Sequence, residues 1–235
     1  MSAPHAAQQL VADSLRRCAL FVDCEPDALR DIVGHLTRRR YRRGEVIFHE
    51  GDPGDALHVI TSGAVKIVLQ STEGDEAIIA TVRDGDFFGE LALLDGEPRS
   101  ATAVAIEATE TATLPRDVFR GLLDAHPDLR DALLTGLAGE LRRLTGHAEE
   151  LHFLDLAGRL AARLVRLAGD AVPSGDGSVT LDWPYTQTDL AGMIGGTRQS
   201  VNRLLSGLID DGLLSVDREQ LIINDLERLA QRADR

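Results

Sequence analysis

A short polar turn near the middle of the chain combines residue types that together suit a phosphorylated sugar. Gly89 and Glu90 stand at the predicted start of a short helix, and Arg99 and Ser100 follow after a turn that contains glycine and proline. A helix start presents free backbone N–H groups that favour an anion. Arg99 can add a charge-assisted hydrogen bond to a phosphate, and Glu90 can accept one from a sugar hydroxyl. The turn therefore predicts a site for a cyclic nucleotide.

The order of residues in this turn resembles the phosphate-binding cassette of cyclic-nucleotide-binding domains. The resemblance rests on Phe-Gly-Glu-Leu-Ala-Leu at residues 88–93, followed by Pro-Arg and a small residue at 98–100. The alternative is a β-hairpin corner in which Glu90 and Arg99 form only a surface salt bridge, which would contribute little stability. That alternative does not explain why glycines, a proline and two opposite charges share one turn. The resemblance implies ligand contacts from Gly89, Glu90, Leu91, Arg99 and Ser100.

Length and composition indicate a folded protein of one large domain or two smaller ones. The chain has 235 residues, and 43% of them are hydrophobic, which is ordinary for a globular protein. No apolar run approaches the ~18 residues typical of a membrane span, and the first ten residues do not form a secretory signal. We therefore expect a cytoplasmic protein without a membrane partner.

Cysteine and histidine usage predicts no metal site and no tightly bound cofactor. Cys18 and Cys24 are six residues apart, which fits no zinc or haem pattern. A sensor that uses an iron–sulfur cluster would require four cysteine ligands. We interpret Cys18 as a small buried residue in a predicted apolar helix.

Many short strands are predicted between residues 44 and 114. Apolar or alternating runs lie at residues 46–48, 56–60, 64–69, 76–82 and 101–106, and turn residues separate them. This pattern predicts a jelly-roll-like β-barrel that can enclose a small ligand. Helical spacing precedes it from about residue 8 to residue 36, with a helix start near Pro26. The basic strip at 38–43 is interpreted as a solvated face leading into the first strand, with a nucleic-acid patch as the alternative.

A long helix is predicted over residues 128–154. Five apolar residues on it alternate steps of four and three, as in the seam of a coiled coil. This spacing favours pairing with a second copy of the chain, and the alternative is an ordinary amphipathic helix that packs on its own barrel. The predicted dimer interface consists of Leu137, Leu141, Leu144, Ala148 and Leu151.

The C-terminal part carries the pattern of a winged helix-turn-helix. Residues 186–189 form a predicted capping box, a short helix follows at 190–194, and Gly195 and Gly196 make a tight turn. Thr197 is predicted to cap a second helix that runs to about residue 211. Two short strands at 213–216 and 221–223 then form the predicted wing.

The second of these helices presents polar side chains suited to the major groove of DNA. An apolar stripe that includes Val201 and Leu208 is predicted to face inward, which leaves the polar residues outside. Arg suits guanine and the amides suit adenine. The formal net charge is −13, yet residues 190–209 contain no acid, so one surface can still approach DNA. The alternative is a protein-interaction module. The outward residues are Arg198, Gln199, Asn202 and Arg203.

From about residue 15 to residue 229 the chain resembles the CRP/FNR (catabolite activator protein) family of transcription regulators. The resemblance implies an α+β fold with a cyclic-nucleotide-binding domain at 1–126, a dimerisation helix and hinge at 127–155, and a winged helix-turn-helix at 156–235. It also implies base contacts from Arg198 and Arg203, and phosphate contacts from Thr197 and Gln187. A pseudo-palindromic operator and RNA polymerase, through the loop at 171–178, are the further implied partners.

The part of the ligand site that would hold the base departs from the family pattern. Relatives that bind cyclic AMP place two adjacent Thr or Ser residues on the long helix, where this chain has Leu144 and Thr145. Glu140 stands where an arginine is usual. We expect cyclic AMP as the effector, with Thr145 contacting the base, and cyclic GMP as the alternative. A regulator that needs no ligand or answers to another effector is the third possibility.

No constellation of catalytic residues supports an enzyme. The chain lacks a Gly-rich phosphate loop with a following Lys-Ser/Thr, and it lacks a nucleophile elbow. The part after residue 158 is too short for a kinase lobe. The rival class, a regulatory subunit that acts on a protein partner, stays open at this point.

Overall fold

The protein has an α+β fold that divides into two compact units. The computed structural model describes residues 15–22, 24, 26–169, 174, 177–217 and 220–233. One unit comprises Met1–Leu69 and Ile79–Arg142, and the other comprises Gln70–Ile78 and Arg143–Arg235. No helix in the described ranges has the length and apolar character needed to cross a membrane.

In the described part of the first 115 residues, eight strands form two four-stranded sheets with the orders β1-β8-β3-β6 and β2-β7-β4-β5. Eight strands in two sheets is the arrangement of a jelly roll, so the predicted fold class is confirmed. Tight turns separate the strands, and Gly63 (φ 93°) joins two of them. The strands are β1 Thr37–Tyr41, β2 Val46–Phe48, β3 Ala56–Ser62, β4 Ala64–Gln70, β5 Glu76–Arg83, β6 Phe87–Phe88, β7 Thr102–Ala105 and β8 Thr109–Pro115.

β1, β6 and β8 were not predicted, because β6 is only two residues long and the sequences of β1 and β8 lack a regular apolar pattern. β1 reads Thr-Arg-Arg-Arg-Tyr, so most of the predicted basic strip is itself the first strand and does not merely lead into it. Its face is solvated as expected, and Arg38 and Arg40 both form ion pairs with Glu110 of β8. In β8 the buried positions include Thr109, Thr111 and Thr113, where a strand pattern normally has valine or isoleucine.

Helices close one side of the roll and complete its core. They are α1 Pro26–His35, α2 Leu91–Asp95, α3 Arg116–Ala125 and α4 Pro127–Phe153. Phe119 of α3 and Leu129 of α4 are buried in one cluster with residues of the N-terminal segment. The start of α1 and the long helix α4 are confirmed, whereas the sequence did not predict α3.

Cys18 is fully buried in that cluster, as predicted, but it does not lie in a helix. The backbone N–H of Cys18 donates to the carbonyl of Leu15 at 3.0 Å, and the N–H of Phe21 donates to the carbonyl of Cys18 at 2.9 Å. These three-residue turns bury the same side chains that a helix would have buried. The predicted helical spacing before residue 15 lies outside the described residues.

The described residues of the second unit form the end of α4, four further helices and a three-stranded sheet of order β10-β11-β9. Its elements are α5 Leu156–Ala168, β9 Val179–Asp182, α6 Gln187–Ile194, α7 Arg198–Asp210, β10 Leu214–Asp217, β11 Gln220–Ile223 and α8 Leu226–Ala233. The two predicted helices and the wing are confirmed, and α6 begins three residues earlier than predicted. β9 and α8 add a third strand and a last helix. The loop predicted to contact RNA polymerase lies mostly outside the described residues.

Candidate ligand and nucleic-acid binding sites

A left-handed glycine connects the end of β6 to the start of α2. Gly89 has φ 83°, a conformation that costs about 1 kcal/mol or more for residues with a Cβ. A Cβ at this position would also lie 2.5 Å from Nη1 of Arg99. The next residue, Glu90, is the N-cap of α2. The turn therefore requires glycine both for its backbone angle and for the close approach of an arginine.

Arg99 is the central residue of this turn, and its side chain is held in one orientation. The residue is 4% exposed. Its Nη1 donates to the carbonyl of Gly89 at 2.5 Å, and its Nη2 donates to the carbonyl of Ala56 at 2.7 Å. The guanidinium carbon lies 4.2 Å from the ring centroid of Phe48. Two backbone carbonyls and an aromatic face thus fix the cation at the start of β3.

The positive charge of Arg99 is incompletely compensated. Its ion pair with Asp55 spans 3.5 Å, and the Asp55 side chain is 88% exposed, so solvent screens the attraction. Burial lowers the pKa of Arg99 despite the opposing effects of Asp55, Glu90 and Asp52. Its Nε is buried and has no hydrogen-bond partner among the described residues. A buried cation in this state gains from a further anion.

Glu90 is desolvated beside the same arginine. Burial raises the pKa of Glu90, and the carboxylate of Glu140 on α4 raises it further, while Arg99 lowers it. Gly136 places this part of α4 against β6, because a Cβ there would lie 3.4 Å from the ring of Phe87. Glu140 follows one helical turn later on the same face. A desolvated carboxyl gains from a hydroxyl donor, which is the role that the sequence predicts for Glu90.

An aromatic cluster that the sequence did not predict borders this site. His58 of β3 stacks on Phe88 with ring centroids 5.0 Å apart, and Phe48 lies 5.7 Å from His58. Burial and the charge of Arg99 lower the pKa of His58 to about 4, so the imidazole is neutral. The residue is 7% exposed, and its Nδ1 has no partner in the described part of the chain. No motif marks Phe48 or His58: the pairing of β3 with β6 sets His58 opposite Phe88, and Phe48 belongs to a strand of the other sheet.

The remaining predicted ligand residues, which are Leu91, Ser100 and Thr145, lie on the protein surface. Leu91 is the exposed first residue of α2, and Ser100 is exposed next to Arg99. Thr145 is an exposed residue of α4 in the second compact unit. The structure therefore brings Gly89, Glu90 and Arg99 together, and the contribution of Thr145 stays a prediction. The described residues contain no cluster that could hold a metal ion.

The long helix α4 exposes an apolar stripe. Leu141 is 66% exposed, and Leu144, Ala148 and Leu151 are also exposed. Leu137 is different, because it is half-buried and packs against the core of its own unit. At that position the alternative of an ordinary amphipathic helix describes α4 better than the predicted seam. Leu134, which is 62% exposed, extends the stripe at the heptad position before Leu141 and was missed.

Two capping boxes fix the helix-turn-helix. Thr186 accepts from the backbone N–H of Asp189 at the start of α6, and Thr197 accepts from that of Ser200 at the start of α7. Val201 and Leu208 of α7 are buried. Thr197 is exposed, and so are all the predicted outward residues, Arg198, Gln199, Asn202 and Arg203.

One contact on this face was not foreseen. Nε2 of Gln187, the first residue of α6, donates to Oδ1 of Asn202 on α7 at 3.2 Å. Both residues belong to the predicted set of DNA contacts, so two of its members also contact each other.

Arg159 connects the ends of two helices in the second unit. Its Nη2 donates to the carbonyl of Leu151 at 3.0 Å, its Nε to that of Leu154 at 3.0 Å, and its Nη1 to that of Ile194 at 3.2 Å. Leu151 lies in the last turn of α4, and Ile194 is the last residue of α6. A single cation thus satisfies carbonyls at two helix C-termini, where positive charge is stabilising.

Comparisons with known proteins match both units. Residues 38–126 match the model of the cyclic nucleotide-binding domain, and residues 158–232 match that of the Crp-like helix-turn-helix domain. The chain is 33% identical over 219 residues to the CRP-like cAMP-activated global transcriptional regulator of Mycobacterium tuberculosis, covering 93% of this chain and 98% of the relative.

Two solved structures have the same fold. FixK2 from Bradyrhizobium japonicum is similar with a TM-score of 0.75 and 25% identity, covering 83% of this chain and 96% of the other. The c-di-GMP responsive global regulator CLP from Xanthomonas campestris is similar with a TM-score of 0.73 and 25% identity, covering 85% and 99%.

Proposed function

Because this chain belongs to the CRP/FNR family of transcription regulators, we propose that it is a homodimer whose DNA binding is switched by a cyclic nucleotide in the roll. The family makes it a transcription regulator and not an enzyme. The effector, the dimer and the operator are the proposed parts. The observation that carries the proposal is the buried, incompletely compensated charge of Arg99 beside Gly89 and Glu90.

A cyclic phosphate matches the chemistry of this turn. Its anionic oxygens would compensate the charge of Arg99 with charge-assisted hydrogen bonds, and the ribose hydroxyl would donate to Glu90. The aromatic rings of Phe48 and Phe88 form an apolar border, and apolar surroundings strengthen such interactions.

We propose cyclic AMP as the effector and cyclic GMP as the alternative. The relative from M. tuberculosis is described as cAMP-activated, which supports cyclic AMP, whereas CLP is described as c-di-GMP responsive. Leu144 cannot offer a hydroxyl to the base, and Glu140 adds an acid near Glu90. The base therefore has fewer polar partners than the phosphate and ribose, which leaves room for a different base preference.

The proposed switch is a shift between two populated conformations. A ligand changes such an equilibrium only by the difference between its affinities for the two states. The cyclic nucleotide would bind more tightly to the conformation in which the two α7 helices of a dimer are aligned with DNA. Two such helices would fit a pseudo-palindromic operator with half-sites about one helical turn apart. RNA polymerase is the further partner that we propose from the family.

Calorimetric titration with cyclic AMP and cyclic GMP tests the sensor. Arg99→Ala should weaken binding by ~2 kcal/mol or more, because a buried anion loses a charged partner. Arg40→Ala is the matched control, since that side chain lies in the same roll and is 79% exposed. The absence of binding at millimolar concentrations of both nucleotides would refute the sensor.

Fluorescence anisotropy with a labelled pseudo-palindrome tests the regulator. Nucleotide should increase the affinity for the operator over a scrambled duplex, and sedimentation should show a dimer at micromolar concentration. A protein that binds nucleotide but does not discriminate between the duplexes would instead support the regulatory subunit that acts on a protein partner.

A further inference from the structure

We propose that Arg163 is the centre of a second anion site, in the C-terminal unit, that takes a phosphate group. The side chain extends from α5, and the residue is 9% exposed. Its one hydrogen bond to the described residues runs from Nε to Sδ of Met193 on α6, at 3.3 Å. A thioether is only a weak acceptor. This buried cation therefore lacks the oxygen partner that a guanidinium ordinarily has when it leaves water.

The end of the Arg163 side chain is available to a ligand. Nη1 and Nη2 have no hydrogen-bond partner in the described part of the chain, and neither belongs to its completely buried atoms. Because Met193 occupies Nε, the edge formed by these two nitrogens remains open. Parallel N–H groups on such an edge can bind two oxygens of one anion. The buried stem holds this edge in place between α5 and α6.

The surroundings of the guanidinium are electropositive. Burial lowers the pKa of Arg163, and Tyr185 partly opposes that effect. The charges of Arg166 and Arg143 lower it further. One carboxylate, that of Glu150 on α4, acts in the other direction, but it forms its ion pair with Arg166. The charged groups that act on Arg163 are thus two arginines and one acid.

His147 does not change this balance near neutral pH. It lies on α4 one turn before Glu150, and its Nδ1 is 3.7 Å from Oε2 of that residue. Burial lowers the pKa of His147, and the charges of Arg163 and Arg166 lower it further against the effect of Glu150. The imidazole is therefore uncharged, and the cluster keeps an excess of positive charge.

This excess selects among oxyanions. Arg163, Arg166 and Arg143 carry three positive charges, and Glu150 carries one negative charge. A phosphate monoester carries about −1.5 to −2 at neutral pH, whereas a carboxylate or a cyclic phosphodiester carries a single negative charge. A phosphate group, free or as a monoester of a small molecule, therefore balances the cluster best. This site involves no residue of the roll, so it does not depend on the proposed nucleotide site around Arg99.

The experiment is calorimetric titration of the full-length protein with inorganic phosphate, and separately with glycerol phosphate, in chloride buffer at constant ionic strength. One phosphate should bind per chain. Arg163→Met should weaken binding by about tenfold or more, because the side chain keeps its length and loses its charged donors. Arg163→Lys should also bind more weakly, since an ammonium lacks the planar edge. Tighter binding of glycerol phosphate would identify a monoester as the ligand, and tighter binding of inorganic phosphate would identify the free ion.

Two control variants locate the effect. Arg228→Met removes the same charge from an exposed position of α8 and should bind phosphate as the unsubstituted protein does. Arg99→Ala should also keep this binding, which separates the site from the roll.

Thermal unfolding shows whether Arg163 serves a ligand or only the fold. Without phosphate, Arg163→Met should melt at the same temperature as the unsubstituted protein or higher, because an apolar side chain replaces a poorly compensated buried charge. Phosphate should raise the melting temperature of the unsubstituted protein and leave that of the variant unchanged.

Three results would overturn the inference. Millimolar phosphate could have no more effect than chloride, acetate could bind as tightly as phosphate, or Arg163→Met could respond to phosphate like the unsubstituted protein. None of these results bears on the binding of cyclic nucleotides, so the proposed function is tested separately.

Discussion

Gly89 and Arg99 fix each other, since Nη1 of Arg99 donates to the carbonyl of Gly89 at 2.5 Å while the glycine occupies φ 83°. A methyl group at Gly89 would meet Nη1 at the same 2.5 Å. Backbone angle and guanidinium position are therefore coupled at the place where we propose that a phosphate binds.

Gly89→Ala should reduce nucleotide affinity by at least tenfold, because the added Cβ displaces the guanidinium. Gly74→Ala is the matched control, with φ 88° and no atom within 4 Å of the added carbon. Both variants should lose about 1 kcal/mol of unfolding free energy from left-handed strain, but calorimetry should show weaker binding only for Gly89→Ala. Equal nucleotide affinities in the two variants would show that the Arg99 guanidinium does not contact the ligand.

The stability of the roll should decrease as the pH falls from about 6.5 toward 4. His58 has a pKa lowered to about 4 by burial and by Arg99, so the unfolded chain takes up a proton in this range and the folded chain does not. The difference corresponds to an order of 3 kcal/mol at 1.36 kcal/mol per pKa unit. Urea denaturation at a series of pH values measures it.

His58→Phe should remove this pH dependence, because phenylalanine does not titrate. Its ring can keep the stacking on Phe88. His49→Asn, at an exposed position, should keep it. Glu90 changes the stability in the opposite direction, because its raised pKa favours the folded state as the pH falls. Glu90→Gln removes this contribution and so separates the two effects. A His58→Phe variant with the wild-type pH profile would assign the acid sensitivity to other groups.

Leu141→Glu should dissociate the proposed homodimer. Leu141 is 66% exposed on α4, and a charge at a seam position of a coiled coil is strongly unfavourable. The variant should sediment as a monomer at micromolar concentration. The monomer should still be folded, which a cooperative melting curve would show. Val216→Glu introduces the same charge at a residue that is 60% exposed in the wing and should remain dimeric. A dimeric Leu141→Glu protein would exclude this stripe as the interface.

Arg159→Ala should destabilise the second unit by about 2 kcal/mol, since three carbonyls lose a charged donor. Arg159→Lys should recover only part of this, because an ammonium cannot span the same three acceptors. Hydrogen exchange at the start of α7 should become faster in both. Arg228→Ala, at an exposed position of α8, serves as the control, and equal loss there would show that Arg159 contributes no more than an ordinary surface arginine.

Local sequence patterns predicted the elements whose residues alternate or whose ends carry caps. The capping boxes at Thr186 and Thr197 both form, because these contacts span only three residues. β1 and β8 were not predicted, because β1 is rich in arginine and β8 is rich in threonine. These two strands are stabilised by pairing with each other. The turns around Cys18 resemble a helix in sequence, since both structures bury residues three apart.

The candidate sites divide in the same way. Gly89, Glu90 and Arg99 lie in one short segment on either side of α2, so their residue types and order indicated their association. Phe48, His58 and Ala56 reach Arg99 only through the fold of the roll, and no spacing in the sequence encodes that. The contact between Gln187 and Asn202 likewise depends on how α6 and α7 pack, which the turn glycines permit but do not specify.

The acid-free stretch at residues 190–209 lies in a protein of net charge −13. The negative charge repels such a molecule from nucleic acid in most orientations. The repulsion is weakest where the acid-free surface faces the DNA, so non-specific encounters with DNA are brief. Fewer copies are then sequestered on irrelevant sequence, and occupancy of a target depends on the ratio of specific to non-specific affinity more than on abundance.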